Sequence, residues 1–457
     1  MYEHIFRHVM FPLYEKAVKQ RGTGGFLREY SHSQWLDRSA LEAVQLRKLN
    51  ALLAHCWANV PFLQEYWHGA GLTPRPLGHA AELARYPVLT KQLVTGNFER
   101  MRAPSGGGRI FAKSTSGSTG EPFRFEYTEE SYARRTAVMW RGYEWCGAVM
   151  GRRTAYLWGV GVPSSRFAKL KDRWYHAAFN RVFLNCNALS EANIDDFITQ
   201  LDRFRPRVIV GFIGPLTLIS RRLLEQGRKI HRPEAIIGAA EALSPSTRDL
   251  VSRAFGTSVY NSYGCREFML VACECAERNG LHVNMDHLVV ETVDAAGRPV
   301  TDETGDVCVT DLHNFAMPFV RFLNGDRATW SQRVCACGRQ LPLLQSIDGR
   351  VLDMIVSADG RMVPGEFFVL VMLDFPQVRQ FQIIQDTADA LEVRIVPGPD
   401  VTAAVRSKLV ERIAAHMGRA VRVWINEVAE IPLTSGGKRR VTVSNLHRVP
   451  IESAAVS

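Results

Sequence analysis

A short run of hydroxylated residues and glycines is the first part of the chain whose residue types suggest chemistry. From Ser114 to Phe125 the sequence is STSGSTGEPFRF. Backbone N–H groups of such a turn can surround an anion and the hydroxyls add donors, although a flexible linker has the same composition. No lysine follows Gly120, so this is not the G-x-x-x-x-G-K-[ST] loop of P-loop nucleotidases. The candidate phosphate-binding residues are Thr115, Ser116, Gly117, Ser118, Thr119 and Gly120.

The cysteines form a second group with recognisable chemistry. The chain has nine cysteines, an odd number without a secretion signal, which argues against a disulfide framework. Four of them stand in two C-x-C pairs, and three sulfurs with one imidazole make a tetrahedral zinc set. The expected ligands are Cys275, His282, Cys335 and Cys337. Cys273 and His287 are rivals for two of these positions, and reduced cysteines without a metal are the alternative.

Further motifs follow in order along the chain. GAAE comes after an apolar strand and NSYGCREF after the next, and then come VRFLNGDRA, GRVLDMI and IPLTSGGKRR. Together with the Ser/Thr/Gly loop, this ordered set resembles the adenylate-forming superfamily of acyl- and aryl-CoA ligases. Within it the chain is most similar to the phenylacetate–CoA ligase-like family, and closest to the capsular-polysaccharide-associated branch. The resemblance covers about residues 85–457.

The resemblance implies that ATP activates a carboxylic acid as its acyl-adenylate, with release of pyrophosphate and later acyl transfer. It implies ATP, Mg²⁺ and CoA as cofactors, and zinc near the active site as in some family members. Carboxylates suit ribose hydroxyls and Mg²⁺, and an aromatic face suits adenine. The implied roles are Lys438 at the substrate carboxylate and α-phosphate, Glu267 at Mg²⁺, Ala240, Glu241, Tyr263 and Gly264 at the nucleotide, and Asp326 and Arg350 at the ribose.

Three positions depart from the family pattern. Phe123 follows the loop proline, where many members have lysine. Arg266 precedes Glu267, where Thr or Ser is usual, and its guanidinium could contact phosphate or carboxylate. Leu352 stands where the family has an Asp or Lys hinge residue, with Asp353 next, which leaves the location of the hinge open.

Hydrophobic periodicity predicts the helices and strands that carry these residues. The first 85 or so residues have a helical pattern. From about residue 190, the apolar strands RVIVGF, EAIIGAA and TSVYNSYG alternate with helices. This alternation predicts a parallel sheet covered on both faces, with ligands beyond the C-terminal strand ends. A β-rich stretch follows about residue 280, and two strands, an amphipathic helix and a strand come after Gly349.

The predicted fold class is therefore α/β. A large N-terminal body has parallel sheets covered by helices and a β-rich subdomain, and a small mobile C-terminal α+β lid domain follows. The predicted boundaries are 1–85 for an N-terminal helical region packed on the body, 86–349 for the large domain and 350–457 for the small one.

Composition excludes several classes of protein. The chain has 457 residues, of which 46% are hydrophobic and 22% charged, as in globular proteins. Its net charge of +10 suits anionic partners, but the absence of a long Lys/Arg run argues against nucleic acid. We predict no transmembrane segment and a cytoplasmic protein, because no apolar stretch reaches spanning length and the N-terminus has no signal-peptide core. That N-terminus could be an amphipathic surface helix, although packing against the body is favoured.

The sequence thus predicts an ATP-dependent, AMP-forming acid–thiol ligase-like enzyme that acts on a small carboxylic acid. CoA is the expected acceptor, and an amine, a carrier protein or a sugar in a biosynthetic pathway is the alternative. A non-catalytic, zinc-stabilised binding module is a second alternative, against which Lys438, Glu267 and Asp326 argue. No motif identifies the acid, whose pocket falls in residues 156–162 and 211–215, or the oligomeric state.

Overall fold

A computed structural model describes residues 2–104, 109–115, 123–159, 166–189, 192–350, 355–358, 362–363, 365–418, 420–432 and 440–446. The chain divides into two compact units, Met1–Ile347 and Asp348–Ser457. The predicted residues that lie outside the described ranges are Ser116, Gly117, Ser118, Thr119, Gly120, Leu352, Asp353 and Lys438.

The strands are numbered in chain order. They are β1 Ile110–Thr115, β2 Phe123–Thr128, β3 Thr154–Trp158, β4 Arg181–Asn185, β5 Val208–Phe212, β6 Ala235–Ala239, β7 Ser258–Cys265, β8 Met269–Cys273, β9 Leu281–Val283, β10 Leu288–Val293, β11 Gly305–Asp311, β12 Phe322–Ser331, β13 Leu343–Arg350, β14 Ile355–Val356, β15 Met362–Val363, β16 Val378–Thr387, β17 Ala390–Pro397, β18 Arg422–Glu427 and β19 Thr442–Ser444.

One large sheet organises the first unit. Its strand order is β10-β11-β12-β13-β9-β8-β7-β6-β5-β3-β4, and β1 and β2 form a separate antiparallel pair. Strands β3 to β7 are parallel, and β5 and β6 are buried along their whole length, as expected of strands covered on both faces. The pairing turns antiparallel at β7 and β8. The β-rich stretch therefore continues the same sheet.

Helices surround this sheet. A helical run over residues 2–18 alternates α turns with π turns at Phe6–Met10 and Tyr14–Val18. The other helices of the first unit are Thr23–Ser33, Arg38–Asn59, Pro61–Gly69, Lys91–Gly96, Phe98–Met101, Glu129–Trp145, Arg166–Ala178, Ile194–Phe204, Ile213–Glu225 and Pro245–Phe255, with short 3₁₀ turns at Ala80–Arg85 and Cys186–Ala188.

Two helices show how the local sequence sets their ends. The Ser244 hydroxyl caps helix Pro245–Phe255 by accepting the Thr247 N–H, and Gly256 ends it with a φ of 68° that favours glycine. Helix Ile213–Glu225 has Pro215 in its first turn, where the N–H that proline lacks would have no partner within the helix. In the described part of the chain, no helix has the length and apolarity needed to cross a bilayer.

The second unit is an α+β fold. Its sheet has the order β18-β17-β16-β19, and β14 pairs with β15. Strands β16 and β17 are antiparallel, whereas β18 and β19 join in parallel. The helices are Gly365–Leu373 and Ala403–Met417, and Leu409 and Ile413 of the second belong to the buried core. The α/β fold class with a distinct C-terminal domain is thus confirmed.

Candidate functional site

The loops after the parallel strands hold several of the predicted site residues. The chain leaves β6 through Ala240, which has a φ of 70°, and Glu241. The Glu241 carboxylate accepts a 2.6 Å hydrogen bond from the backbone N–H of Gly214, which follows β5. This bond ties two neighbouring strand ends together at the edge where parallel sheets bind ligands.

A buried polar network joins β7 to β12. The Tyr263 hydroxyl donates to Asp326 Oδ2 at 2.9 Å. The Asn324 amide donates to both, at 2.7 Å to the hydroxyl and 2.9 Å to the carboxylate. Gly325 between the two β12 residues has a φ of 88°, which glycine accommodates without strain. All three polar side chains are buried, so the carboxylate is held in one orientation.

The same network shows that the sheet is strongly curved. Three strands separate β7 from β12 in the sheet order, which in a flat sheet would place them roughly 19 Å apart. A tyrosine side chain cannot span that distance. The hydrogen bond between Tyr263 and Asp326 therefore requires the sheet to curl, bringing the β12 carboxylate over the end of β7.

A second acidic group lies beside this network. Glu267 is buried, and its carboxylate is 3.5 Å from the Lys91 ammonium. Burial raises the pKa of the Cys265 thiol well above its usual value, the carboxylates of Glu267 and Asp326 raise it further, and Lys91 lowers it. The Cys265 thiol is thus within electrostatic reach of both carboxylates and of the Lys91 ammonium.

Protonation states in the network follow from burial. Burial, and then the Asp326 carboxylate, raise the pKa of Tyr263 well above its usual value. The phenol therefore keeps its proton at neutral pH and donates it to the carboxylate. This arrangement leaves a carboxylate that is fixed by two donors and suited to accepting hydroxyl groups from a ligand.

Arg266 links this region to the predicted phosphate loop. Its guanidinium donates a 2.6 Å hydrogen bond to the carbonyl of Ser114, at the end of β1. The sequence left open a contact of this guanidinium with phosphate or carboxylate, and in the structure it holds the strand that leads into the loop. Strand β13 ends at Arg350, of which only the backbone is described.

The four predicted zinc ligands come together. Their ligand atoms all lie within 4.8 Å of one another. Cys275 Sγ is 3.6 Å from Cys335 Sγ, and Cys337 Sγ is 3.4 Å from His282 Nε2. A tetrahedral zinc ion with ordinary Zn–S and Zn–N bonds requires ligand separations of roughly 3.4–3.8 Å. The cluster therefore fits zinc in both donor type and spacing.

The two rival ligands point elsewhere. Cys273 Sγ lies 3.7 Å from Cys146 Sγ, and His287 Nδ1 lies 2.9 Å from the Tyr30 hydroxyl. Burial, and then the charge of Arg339, lower the pKa of His282 to about 4, so its imidazole is neutral and can donate a lone pair to a metal.

Sequence reasoning missed two residues of the site. Asn324 stands two positions before Asp326, so the N-G-D sequence carried a usable signal. Lys91 lies far from Glu267 along the chain, and no local pattern connects the two. Only the fold brings this lysine to the carboxylate.

Several known proteins are similar to this chain. Residues 355–445 match the family described as the CapK C-terminal domain. The chain is 25% identical to a phenylacetate–coenzyme A ligase of Thermus thermophilus over 445 residues, which cover 89% of this chain and 96% of the relative. It is 22% identical to Protein CapK of Staphylococcus aureus, with 98% and 99% of the two chains covered.

Solved structures share the fold. A 2-hydroxyisobutyryl-CoA ligase in the postadenylation state superposes with a TM-score of 0.73 at 18% identity, over 90% of this chain and 91% of that one. An amide bond synthetase of Marinactinospora thermotolerans gives a TM-score of 0.50 at 17% identity, over 72% and 67%. These comparisons confirm the predicted resemblance to adenylate-forming ligases and to their CapK-like branch. They also confirm the predicted enzyme class, an AMP-forming ligase.

Proposed function

Since the chain is related to the phenylacetate–CoA ligases and to CapK, we propose that it converts a small carboxylic acid and ATP into an acyl-adenylate and then transfers the acyl group to CoA. The observation that carries this proposal is the buried Tyr263–Asn324–Asp326 network, with Glu267 close by at the end of a parallel sheet. Such a set can hold a ribose and a metal-bound phosphate chain side by side.

In the first step, an oxygen of the substrate carboxylate attacks the α-phosphorus of ATP, and the bond to the bridging oxygen breaks as pyrophosphate leaves. Asp326 accepts hydrogen bonds from the ribose hydroxyls, and its two donors fix its orientation. The Tyr263 ring borders the adenine, and the backbone around Gly264, Ala240 and Glu241 contacts the nucleotide.

The phosphates require positive charge and backbone N–H groups. Glu267 would hold Mg²⁺, which supplies charge neutralisation when it is bound, and the Lys91 ammonium lies beside this carboxylate. The loop of residues 115–120 would surround the β- and γ-phosphates, and Arg266 anchors the strand that precedes it. Lys438 would bridge the substrate carboxylate and the α-phosphate, and Arg350 would contact the ribose.

In the second step, a thiol sulfur attacks the acyl carbon, the bond to the phosphate oxygen breaks, and AMP leaves. CoA is the acceptor that the phenylacetate–CoA ligase relatives suggest. An acceptor in polysaccharide biosynthesis is the second candidate. It is favoured by the likeness to CapK over 98% of this chain and by the CapK C-terminal domain match at residues 355–445.

The zinc site has a structural role in this proposal. Its ligands come from β9, from the segment after β8 and from the loop before β13, so that one ion would join three separate segments of the sheet. With three thiolates and one imidazole the coordination is closed, leaving no position for a substrate.

The experiment is pyrophosphate release from ATP with a panel of aliphatic and aromatic acids, followed by mass spectrometry of products with CoA present or absent. We expect one class of acid to release pyrophosphate and to give an acyl-CoA. Pyrophosphate release without a thioester would favour the second candidate acceptor. A properly folded protein that binds ATP but releases no pyrophosphate with any acid would favour the non-catalytic alternative.

A further inference from the structure

The helical run over residues 2–18 has two contrasting faces. Phe6 and Phe11 are buried and pack edge-on against Phe179, with ring centroids 4.8 and 6.3 Å apart. The opposite face carries large apolar side chains that are 42–66% exposed, at Ile5, Val9, Leu13 and Val18. These residues recur every four or five positions, the spacing that π turns bring onto one side of a helix.

A neighbouring helix adds to this apolar surface. Helix Arg166–Ala178 contacts the run through Tyr175, whose ring centroid is 5.7 Å from that of Tyr14. It exposes Trp174 and Leu170 by 70% and 53%. The four exposed apolar side chains of the run form one stripe, and an exposed tryptophan lies beside it. An ordinary protein surface carries apolar side chains singly and scattered, so this contiguous patch is unusual.

Positive charge borders this surface. Lys16 of the run and Lys19, the residue directly after it, are exposed, whereas the two acidic residues of the run are engaged elsewhere. The buried Glu15 carboxylate accepts the Thr23 hydroxyl, and Glu3 pairs with Arg152 and Arg207. The outward face of the run therefore combines apolar groups with cations.

A cation-lined cavity adjoins the start of the run. It is lined by Tyr2, Glu3, Arg153, Asn180, Arg205, Arg207 and His231. Arg207 pairs with Glu3 and Glu234, whereas Arg153 and Arg205 have no carboxylate partner within the described ranges. An anionic group entering this cavity would find two guanidinium groups that form no ion pair with any described residue.

We propose that this face, made of the exposed side of residues 2–18 and the adjoining arginine-lined cavity, docks on the surface of an anionic phospholipid bilayer. The apolar stripe would enter the headgroup region, and the cavity arginines would contact lipid phosphates. A second copy of the chain is a poorer occupant, because it would bring like charges together.

Flotation of the full chain with vesicles tests this proposal. We expect binding to phosphatidylcholine mixed with phosphatidylglycerol, weak binding to phosphatidylcholine alone, and weaker binding at high salt. Val9→Ser with Leu13→Ser should weaken binding roughly tenfold or more. The matched control is Trp424→Ser, which removes an exposed apolar side chain of the C-terminal unit.

A second pair of variants tests the charges. Arg153→Gln with Arg205→Gln should weaken binding to the mixed vesicles by roughly ten- to thirtyfold. The control is Arg75→Gln with Arg298→Gln, which removes the same charge from two other exposed sites. Thermal unfolding midpoints near that of the wild type establish that all variants are folded.

Three results would overturn the proposal. The first is wild-type protein that does not float with the mixed vesicles. The second is a wild-type dimer that the Val9/Leu13 variant converts to a monomer, since the face would then be covered by a second copy. The third is stabilisation by inorganic phosphate without vesicle binding, since the cavity would then hold a free anion.

Discussion

The two edges of one parallel sheet differ in charge and in burial. Glu241 and Glu267 follow the C-terminal ends of β6 and β7, and Asp326 of β12 reaches the same place through its hydrogen bond with Tyr263. Glu267 and Asp326 are almost fully buried. At the N-terminal ends, Arg153, immediately before β3, and Arg205, just before β5, are exposed. Because parallel strands gather all their C-terminal ends at one edge, the two sets of charges cannot mix.

The difference in burial suits the two edges to different kinds of ligand. A buried carboxylate with fixed donors, such as Asp326, is already oriented for a small molecule that enters the site. An exposed guanidinium remains hydrated and suits an extended charged surface. We therefore propose that adenylation takes place at the acidic edge and surface docking at the basic edge.

The largest effect is expected at Lys438. Lys438→Ala should slow acid-dependent ATP–pyrophosphate exchange. Its activation free energy should rise by about 3–4 kcal/mol, because a cation at the developing charge is lost. ATP binding, measured by calorimetry, should change little. Lys408→Ala, on an exposed helical position of the same unit, is the control. Exchange within about threefold of the wild type would remove Lys438 from the mechanism.

Zinc should stabilise the interior of the sheet and neither of its two edges. We expect one zinc per chain, and Cys275→Ser or Cys337→Ser should each lose it and lower the unfolding midpoint, because metal binding adds to folding free energy. Elemental analysis and calorimetry measure both quantities. Cys308→Ser, in buried β11, should keep the metal. Native protein prepared without chelators and free of zinc would refute the site.

A buried histidine pair should make stability depend on pH. The rings of His287 and His313 stack 5.2 Å apart. Burial lowers the pKa of His313 to about 2, and burial together with His313 holds that of His287 well below its usual value. Below about pH 6.5 both histidines bind a proton in the unfolded chain, whereas in the folded chain they stay neutral. The free energy of unfolding should therefore fall with decreasing pH by about 1.4 kcal/mol per pH unit for each histidine.

Urea unfolding at about pH 7 and pH 5 checks this expectation. In His313→Asn the stability lost between these two pH values should be smaller than in the wild type by at least about 1 kcal/mol, because one titrating group is gone. An unchanged loss would show that the histidines do not carry the dependence. Nucleotide affinity at pH 7 should be unaffected, which keeps this effect separate from the acidic edge.

The smallest effect is expected at Tyr263. Tyr263→Phe removes one of the two donors to Asp326 and should raise the KM for ATP about fivefold, or about 1 kcal/mol. Asn324 still holds the carboxylate, which limits the loss. Tyr260→Phe on the same strand is the control. Equal KM values for the two variants would exclude the network from nucleotide binding.

The sequence predicts the fold class because its signals are local. Apolar strands alternate with capped helices, as around Ser244 and Gly256, and this pattern indicates a covered parallel sheet. The pairing of Lys91 with Glu267 depends instead on distant segments. The curl that brings Asp326 over the end of β7 also depends on packing, and so does the choice of His282 over His287 as a metal ligand.

ATP–pyrophosphate exchange with the accepted acid, measured for two matched carboxylate-to-amide changes, tests the division most directly. Asp326→Asn lies at the acidic edge, and Glu234→Gln lies at the basic edge, where its carboxylate pairs with Arg152 and Arg207. We predict that Asp326→Asn raises the KM for ATP roughly ten- to hundredfold, since a charged hydrogen bond contributes about 1.5–3 kcal/mol. Glu234→Gln should leave the KM for ATP within about twofold of the wild type. Equal effects of the two changes, or a larger effect of Glu234→Gln, would contradict the placement of nucleotide binding at the acidic edge.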